Sequence, residues 1–158
     1  MEQEAEDLNE EVTQWVTFRL EGEKYGIDVM LVREVLRESE IAPVPGAPHY
    51  VLGIINLRGN VVPVIDTRRR FGLPPREMDE DARIIIVELA EQWVGMVVDA
   101  VAEVMDVPAS QIERTPDVGN EDESSKFIQG VSRQDEELLI LVALDRLFAI
   151  EEWAEAQP

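Results

Sequence analysis

Tyr50-Val51-Leu52-Gly53-Ile54-Ile55-Asn56-Leu57-Arg58-Gly59-Asn60-Val61-Val62-Pro63-Val64-Ile65-Asp66 is the stretch whose reading decides the fold. Two apolar arms flank Arg58-Gly59-Asn60. Gly followed by Asn at a tight turn reads as a β-hairpin, because Gly takes the positive φ such turns need. Both arms are rich in Val and Ile, which suit a pleated, largely buried surface. Pro63 has no N–H for a ladder bond, so the second arm is expected at a sheet edge or at a bulge. The product is a stiff apolar hairpin carrying a guanidinium at its tip. It contains no nucleophile, metal-ligand set or phosphate loop.

Upstream, Val16, Phe18 and Leu20 alternate with Trp15, Thr17 and Arg19, the pattern of a half-buried strand. Glu21-Gly22-Glu23 turns, and Tyr25, Ile27 and Val29 continue as a second strand. Leu31 to Glu38 mixes helical spacing with β-branched content; a short helical turn leading into a strand is the favoured reading. Ala42-Pro43-Val44-Pro45-Gly46-Ala47-Pro48 is a loop. Beyond the hairpin, Asp66 or Thr67 can cap a short helix through Phe71, which Gly72 ends. Leu73 to Ala82 is a Pro-containing acidic linker.

The chain then begins again. Trp15 to Leu36 overlies Ile84 to Met105, with Gly95 on Gly26 at an offset of 69. Tyr50 to Ile54 overlies Phe127 to Val131 at 77, and Val64-Ile65-Asp66 overlies Ala143-Leu144-Asp145 at 79. Two copies of a five-strand unit follow from these matches. Small closed barrels are expected, since closure removes exposed edges. Ile84, Ile86 and Glu88 stand where copy one has Trp15, Thr17 and Arg19. That apolar outer face either packs on copy one or lines a groove. Asp145 is expected to cap a C-terminal helix containing Leu147, Phe148 and Trp153.

At 158 residues the chain suits one compact unit or two very small ones. Its longest apolar run, Leu138 to Leu144, is far too short to cross a membrane. The acidic N-terminus has no signal-like core, so export is not expected. The absence of cysteine excludes disulfides and thiolate metal sites and fits a reducing cytoplasm. A net charge of −20 makes nucleic acid and anionic lipid poor partners. The acid runs at Glu2 to Glu11, Glu77 to Asp81, Glu121 to Glu123 and Asp135 to Glu137 lack the ligand spacing of a calcium loop. They read as solvated surface, or as adaptation to a salty cytoplasm.

Catalytic chemistry is poorly supported. His49 is the only histidine, and no nucleophile motif accompanies it. Asp66 and Asp145 read better as helix caps than as phosphoacceptors, because alternating βα units are lacking. Arg58 is either an idle turn residue or an anchor for a partner carboxylate. Glu34 is either a solvated charge or its internal partner.

Tyr25-Gly26-Ile27-Asp28-Val29, Val32-Arg33-Glu34-Val35, Asn56-Leu57-Arg58-Gly59, Val62-Pro63-Val64-Ile65-Asp66 and Val94-Gly95-Met96-Val97-Val98-Asp99, in this order, resemble the CheW family of chemotaxis coupling proteins. The resemblance covers about Trp15 to Trp153. It implies an all-β fold of two tandem five-stranded SH3-like barrels from an internal duplication, with a short helix between them and a C-terminal helix. The expected layout is a disordered acidic tail over 1–12, barrels over 13–80 and 81–150, and a helix over 145–156, the whole forming one domain over 13–153. It implies a cytoplasmic, non-enzymatic adaptor, a monomer when isolated, with no cofactor and no metal. Its implied partners are the CheA histidine kinase regulatory domain and the cytoplasmic tips of chemoreceptors. The alternative is the same role in a twitching or other non-flagellar system. Positions matching the family's partner-binding surface are Val32, Glu34, Gly53, Arg58, Ile84, Gly95, Val101 and Val104. The strong acidity, the acidic N-terminal extension and the long Pro116 to Lys126 loop depart from the family pattern.

Overall fold

The structure, a computed structural model, describes residues 11–114, 127–134 and 136–148. The alternating N-terminal segment forms β1 (Val12–Leu20), and Glu21-Gly22, both at positive φ, return the chain as β2 (Glu23–Asp28). The Asp28 carboxylate accepts the Met30 N–H at 2.9 Å and opens a single 3-10 turn over Val29–Leu31. β3 (Val32–Leu36) follows directly: the expected helical turn leads into a strand but lies earlier, taking Val29 from the second strand, and the helically spaced Val32, Val35 and Leu36 are all strand.

The central hairpin is β4 (Val51–Leu57) and β5 (Asn60–Asp66). Its two-residue loop is Arg58-Gly59 (φ 51° and 88°), the positive pair of a type I′ turn. The Gly59 N–H donates to the Asn56 side-chain oxygen at 2.9 Å, and Asn60 already belongs to β5. On its other side β5 pairs only from Val64 onward, so Pro63 has one neighbouring strand and no ladder bond is lost there. Asp66 accepts the Arg68 N–H at 3.0 Å and caps α1 (Thr67–Arg70); Gly72 at φ 77° ends it.

The second half gives β6 (Arg83–Leu89), β7 (Gln92–Val98), β8 (Ala100–Pro108), β9 (Ile128–Gln134), β10 (Glu137–Val142) and α2 (Leu144–Leu147). The strands assemble into two five-stranded sheets, β8-β1-β2-β10-β9 (barrel A) and β3-β6-β7-β5-β4 (barrel B). Each is closed by a bridge from the chain beyond its edge strand: Glu113 to Val131 in A, Ala42 to Ile54 in B. Glycine is required at Gly53 (φ 152°), because a Cβ there would lie 2.1 Å from the Ala42 carbonyl oxygen.

Neither sheet stays within one repeat, which corrects the expectation of one barrel over 13–80 and another over 81–150. Each repeat contributes its first hairpin to one barrel and its last three strands to the other. The new joints are parallel, β2 with β10 and β5 with β7. Equivalent strands present equivalent hydrogen-bonding edges, so pairing across repeats satisfies the same backbone groups as pairing within one.

These joints also fix the repeat alignment. Val64 lies beside Gly95 as Leu141 lies beside Gly26, and the Asp66 and Ala143 amides donate to Tyr50 and Phe127 in turn, both at 2.7 Å. Asp66 therefore matches Ala143 at the same offset of 77 as Tyr50 and Phe127, not the 79 read from the sequence. Ala143 is the N-cap of α2 without a side-chain bond, and Asp145 lies inside the first turn instead of capping it. The rest of the helix expected over 145–156, like the 1–12 tail up to Glu10, lies outside the described residues.

Among the described residues, three apolar clusters form the core. The largest lies between the sheets and includes Phe18, Ile27, Ile65, Ile85, Val87 and Met96. Ile55, Val62, Val64, Ile84 and Ile86 fill barrel B. Trp15, Val107, Leu139 and Leu141 fill barrel A. Trp15 (4% exposed) and Thr17 (0%) are thus interior and not solvent-facing. Sheet closure buries the face that simple alternation assigns to water. Ile84 and Ile86 likewise point into barrel B, which accounts for a strand apolar on both faces.

Gly26 and Gly95 occupy equivalent central positions. A Cβ on Gly95 would meet Ile84, Val64 and Ile86 at 3.1–3.3 Å, and one on Gly26 would meet Leu141, Trp15 and Leu139 at 3.3–3.4 Å. Gly95→Val is therefore an overpacking substitution, expected to cost about 1–3 kcal/mol. Urea unfolding should show it, while binding to any partner, measured well below the new melting point, stays unchanged. Selective loss of binding at full stability would make Gly95 a contact residue.

Candidate partner-binding surface

Arg58 crowns the central hairpin with a side chain 65% exposed, and its guanidinium is bonded to the Glu34 carboxylate. This settles the open reading of Glu34: it is the internal partner. The bond and the charge of Glu34 hold the guanidinium pKa above its ordinary value. Glu34 comes from edge strand β3, so the contact joins the hairpin tip to the opposite edge of the same barrel. The αL backbone of Arg58 and the Asn56–Gly59 bond fix where the guanidinium starts from. Val61, 65% exposed, lies beside it.

The edge strands carry the second element. Val35 in β3 pairs with Ile85, and Val104 in β8 pairs with Val16. Ile85 and Val16 both belong to the inter-sheet cluster, against which Val32 and Val101 also pack. The apolar face between the sheets therefore runs out to exposed rims at Val35 (41%) and Val104 (54%). Of the positions expected to bind partners, Arg58 and Val104 are exposed, and Val32, Glu34 and Val101 are half-buried. Gly53, Ile84 and Gly95 are buried in barrel B. They shape barrel B from within.

Barrel A ends differently. Thr17, Lys24, Ser132 and Gln134 stand where barrel B has Ile86, Trp93, Ile55 and Leu57. Lys24, 7% exposed, reaches Glu103 at 2.6 Å, and Arg19 pairs with Glu137. The Lys24 bond holds the Glu103 carboxyl below its usual range, as Arg19 does for Glu137. Both contributions are present at neutral pH and fade as pH falls through the carboxylate range. The two barrel ends are alike in backbone and unlike in chemistry.

Sequence reading missed two arginines of α1. Arg68, 5% exposed, binds Asp99 at 2.6 Å, Glu21 at 2.9 Å and the Pro74 carbonyl at 2.9 Å. Asp99 also accepts the Glu21 N–H at 2.9 Å and lies 3.3 Å from Arg76. Arg70 lies over the Tyr50 ring (4.2 Å) and the Phe127 ring (4.7 Å) and donates to the Leu147 carbonyl at 2.8 Å. Tyr50 and Phe127 are repeat equivalents, so a single guanidinium sits where the halves meet. The only available signal was the run Arg68-Arg69-Arg70 directly after a helix cap.

His49 is exposed, with its ring edge-on to Tyr50 at 5.6 Å. Among the described residues no cluster of His, Cys, Asp or Glu is placed to hold a metal, and no helix is long and apolar enough to cross a membrane.

The CheW-like domain family model matches residues 14–152. The chain is 36% identical over 137 residues to chemotaxis protein CheW of Rhizobium meliloti, covering 87% of this chain and 88% of that protein. It is 34% identical to CheW of Bacillus subtilis over 143 residues, covering 90% and 91%. Protein PilI of Pseudomonas aeruginosa is more distant, at 28% over 134 residues. Among solved structures, the scaffolding protein TtCheW of Thermoanaerobacter tengcongensis superposes with a TM-score of 0.81 at 39% identity, covering 87% of this chain and 93% of that one.

Proposed function

This chain belongs to the CheW-like family of chemotaxis scaffolding adaptors, which are not enzymes, and from that premise we propose that it couples chemoreceptor signalling tips to the CheA histidine kinase in the cytoplasm. The observation that carries the reading is the Arg58 hairpin tip, stiffened by its turn and bonded to Glu34 on the edge strand that also bears exposed Val35. In the proposed arrangement a carboxylate-bearing partner takes the guanidinium from Glu34. Val32, Val35, Val101 and Val104 offer apolar strips to a second partner's helical surface. The kinase regulatory domain and the receptor tip are the two partners. The chemotaxis role is favoured over a twitching role by the higher identity to CheW proteins than to PilI.

Co-sedimentation with receptor signalling tips, with and without the kinase, tests the reading. Arg58→Ala removes an exposed side chain, so circular dichroism and melting are expected to match the parent. An interface arginine of the hot-spot kind accounts for about thirtyfold in Kd. Binding should weaken by that order, and receptor-coupled kinase activation should fall with it. Arg58→Lys should rescue poorly, because an ammonium lacks the planar fork. Parental coupling by the alanine variant would return Arg58 to an idle turn residue.

A further inference from the structure

Each barrel takes two strands from one repeat and three from the other, and the covalent path between the repeats is the linker from Gly72 to Ala82. We propose that two copies of this chain exchange repeats, the first repeat of one completing both barrels with the second repeat of the other. The occupant of every exchanged surface is thereby a second copy. Its chemistry matches by construction, because the β1–β8, β3–β6, β2–β10 and β5–β7 pairings and the Arg68–Asp99 contact are all bonds between repeats. No contact in either barrel has to change for the exchange to occur. Only the linker straightens. Leu73-Pro74-Pro75 stiffens its first part, and residues 75–81 are all exposed.

The closed monomer holds its own second repeat at an effective concentration on the order of millimolar, the usual value for a short linker. Exchange is therefore minor in dilute solution and becomes comparable near that concentration. Once formed, an exchanged dimer separates only by unfolding, since the inter-sheet cluster must open. If the coupling role is correct, such a dimer carries two Arg58 tips and two sets of rim valines on one body, and acts as a bivalent adaptor. The exchange itself does not depend on that role, and its test needs no partner.

Gln14 and Asp106 face each other across the β1–β8 joint, both exposed and bonded at 2.9 Å. The chain has no cysteine of its own. The double variant Gln14→Cys/Asp106→Cys is unfolded in urea with reductant, refolded at about millimolar concentration, oxidised, and separated by size exclusion with light scattering. The expected dimer fraction remains a covalent dimer on a denaturing gel without reductant, while the monomer fraction carries its bridge within one chain. A dimer fraction that falls apart into internally bridged monomers would overturn the proposal, showing association of closed chains. So would an absence of dimer after refolding at this concentration, with the monomer shown to be native by circular dichroism.

Discussion

Cut between Glu80 and Asp81, neither half of this chain will fold alone, and the two mixed will restore the parent's circular dichroism and a single cooperative melt. The cut falls in the exposed linker and breaks no strand. In residues 1–80, β1 loses β8, β2 loses β10, and β3 to β5 lose the β6–β7 hairpin on which they are laid. In residues 81–158 the losses mirror these. What remains in each half is a pair of separated hairpin-sized pieces, and a lone two-stranded hairpin is at best marginally stable in water. The inter-sheet cluster is also divided, with Phe18, Ile27 and Ile65 on one side and Ile85, Val87 and Met96 on the other. A half that melts cooperatively as a monomer would show that strands can re-pair within one repeat, and the exchanged topology would then be a preference instead of a requirement.

Arg68→Ala will be the most damaging single truncation among the charged residues. Its guanidinium is held by two carboxylates and a carbonyl at 5% exposure, and Asp99 keeps only part of its partners when it is gone. Removing one member of a buried pair leaves the other charged and poorly compensated, a loss of roughly 3 kcal/mol. The contact ties α1 and the β1–β2 turn to the residue that joins β7 to β8, so both barrels are affected. Urea unfolding of Arg68→Ala, Asp99→Ala and the double variant will give a cycle in which the double change costs less than the sum, by about 1.5 kcal/mol. Additive losses would mean that Arg68 acts by its alkyl stem alone. Arg58→Ala makes the opposite case: also an ion-paired arginine, it is exposed and should leave folding untouched.

The sequence by itself determined the pieces. Period-two alternation marks β1, the positive-φ pair is prepared by Arg58-Gly59, Asp66 and Gly72 bracket α1, and the repeat is visible in ordered matches. These are signals of local sterics and local hydrogen bonding, and a short window contains all of them. The family's motifs were likewise legible as strings. Tertiary structure alone decided which strands meet. In a duplicated chain every strand has two candidate partners with the same pattern and the same backbone edge, so no local rule distinguishes pairing within a repeat from pairing across repeats. That choice set the rest. It closed the sheets that turn Trp15, Thr17, Ile84 and Gly95 inward, and it brought Arg68 to Asp99. It left Glu34 beside Arg58 on the surface, where charge and reach matter more than period.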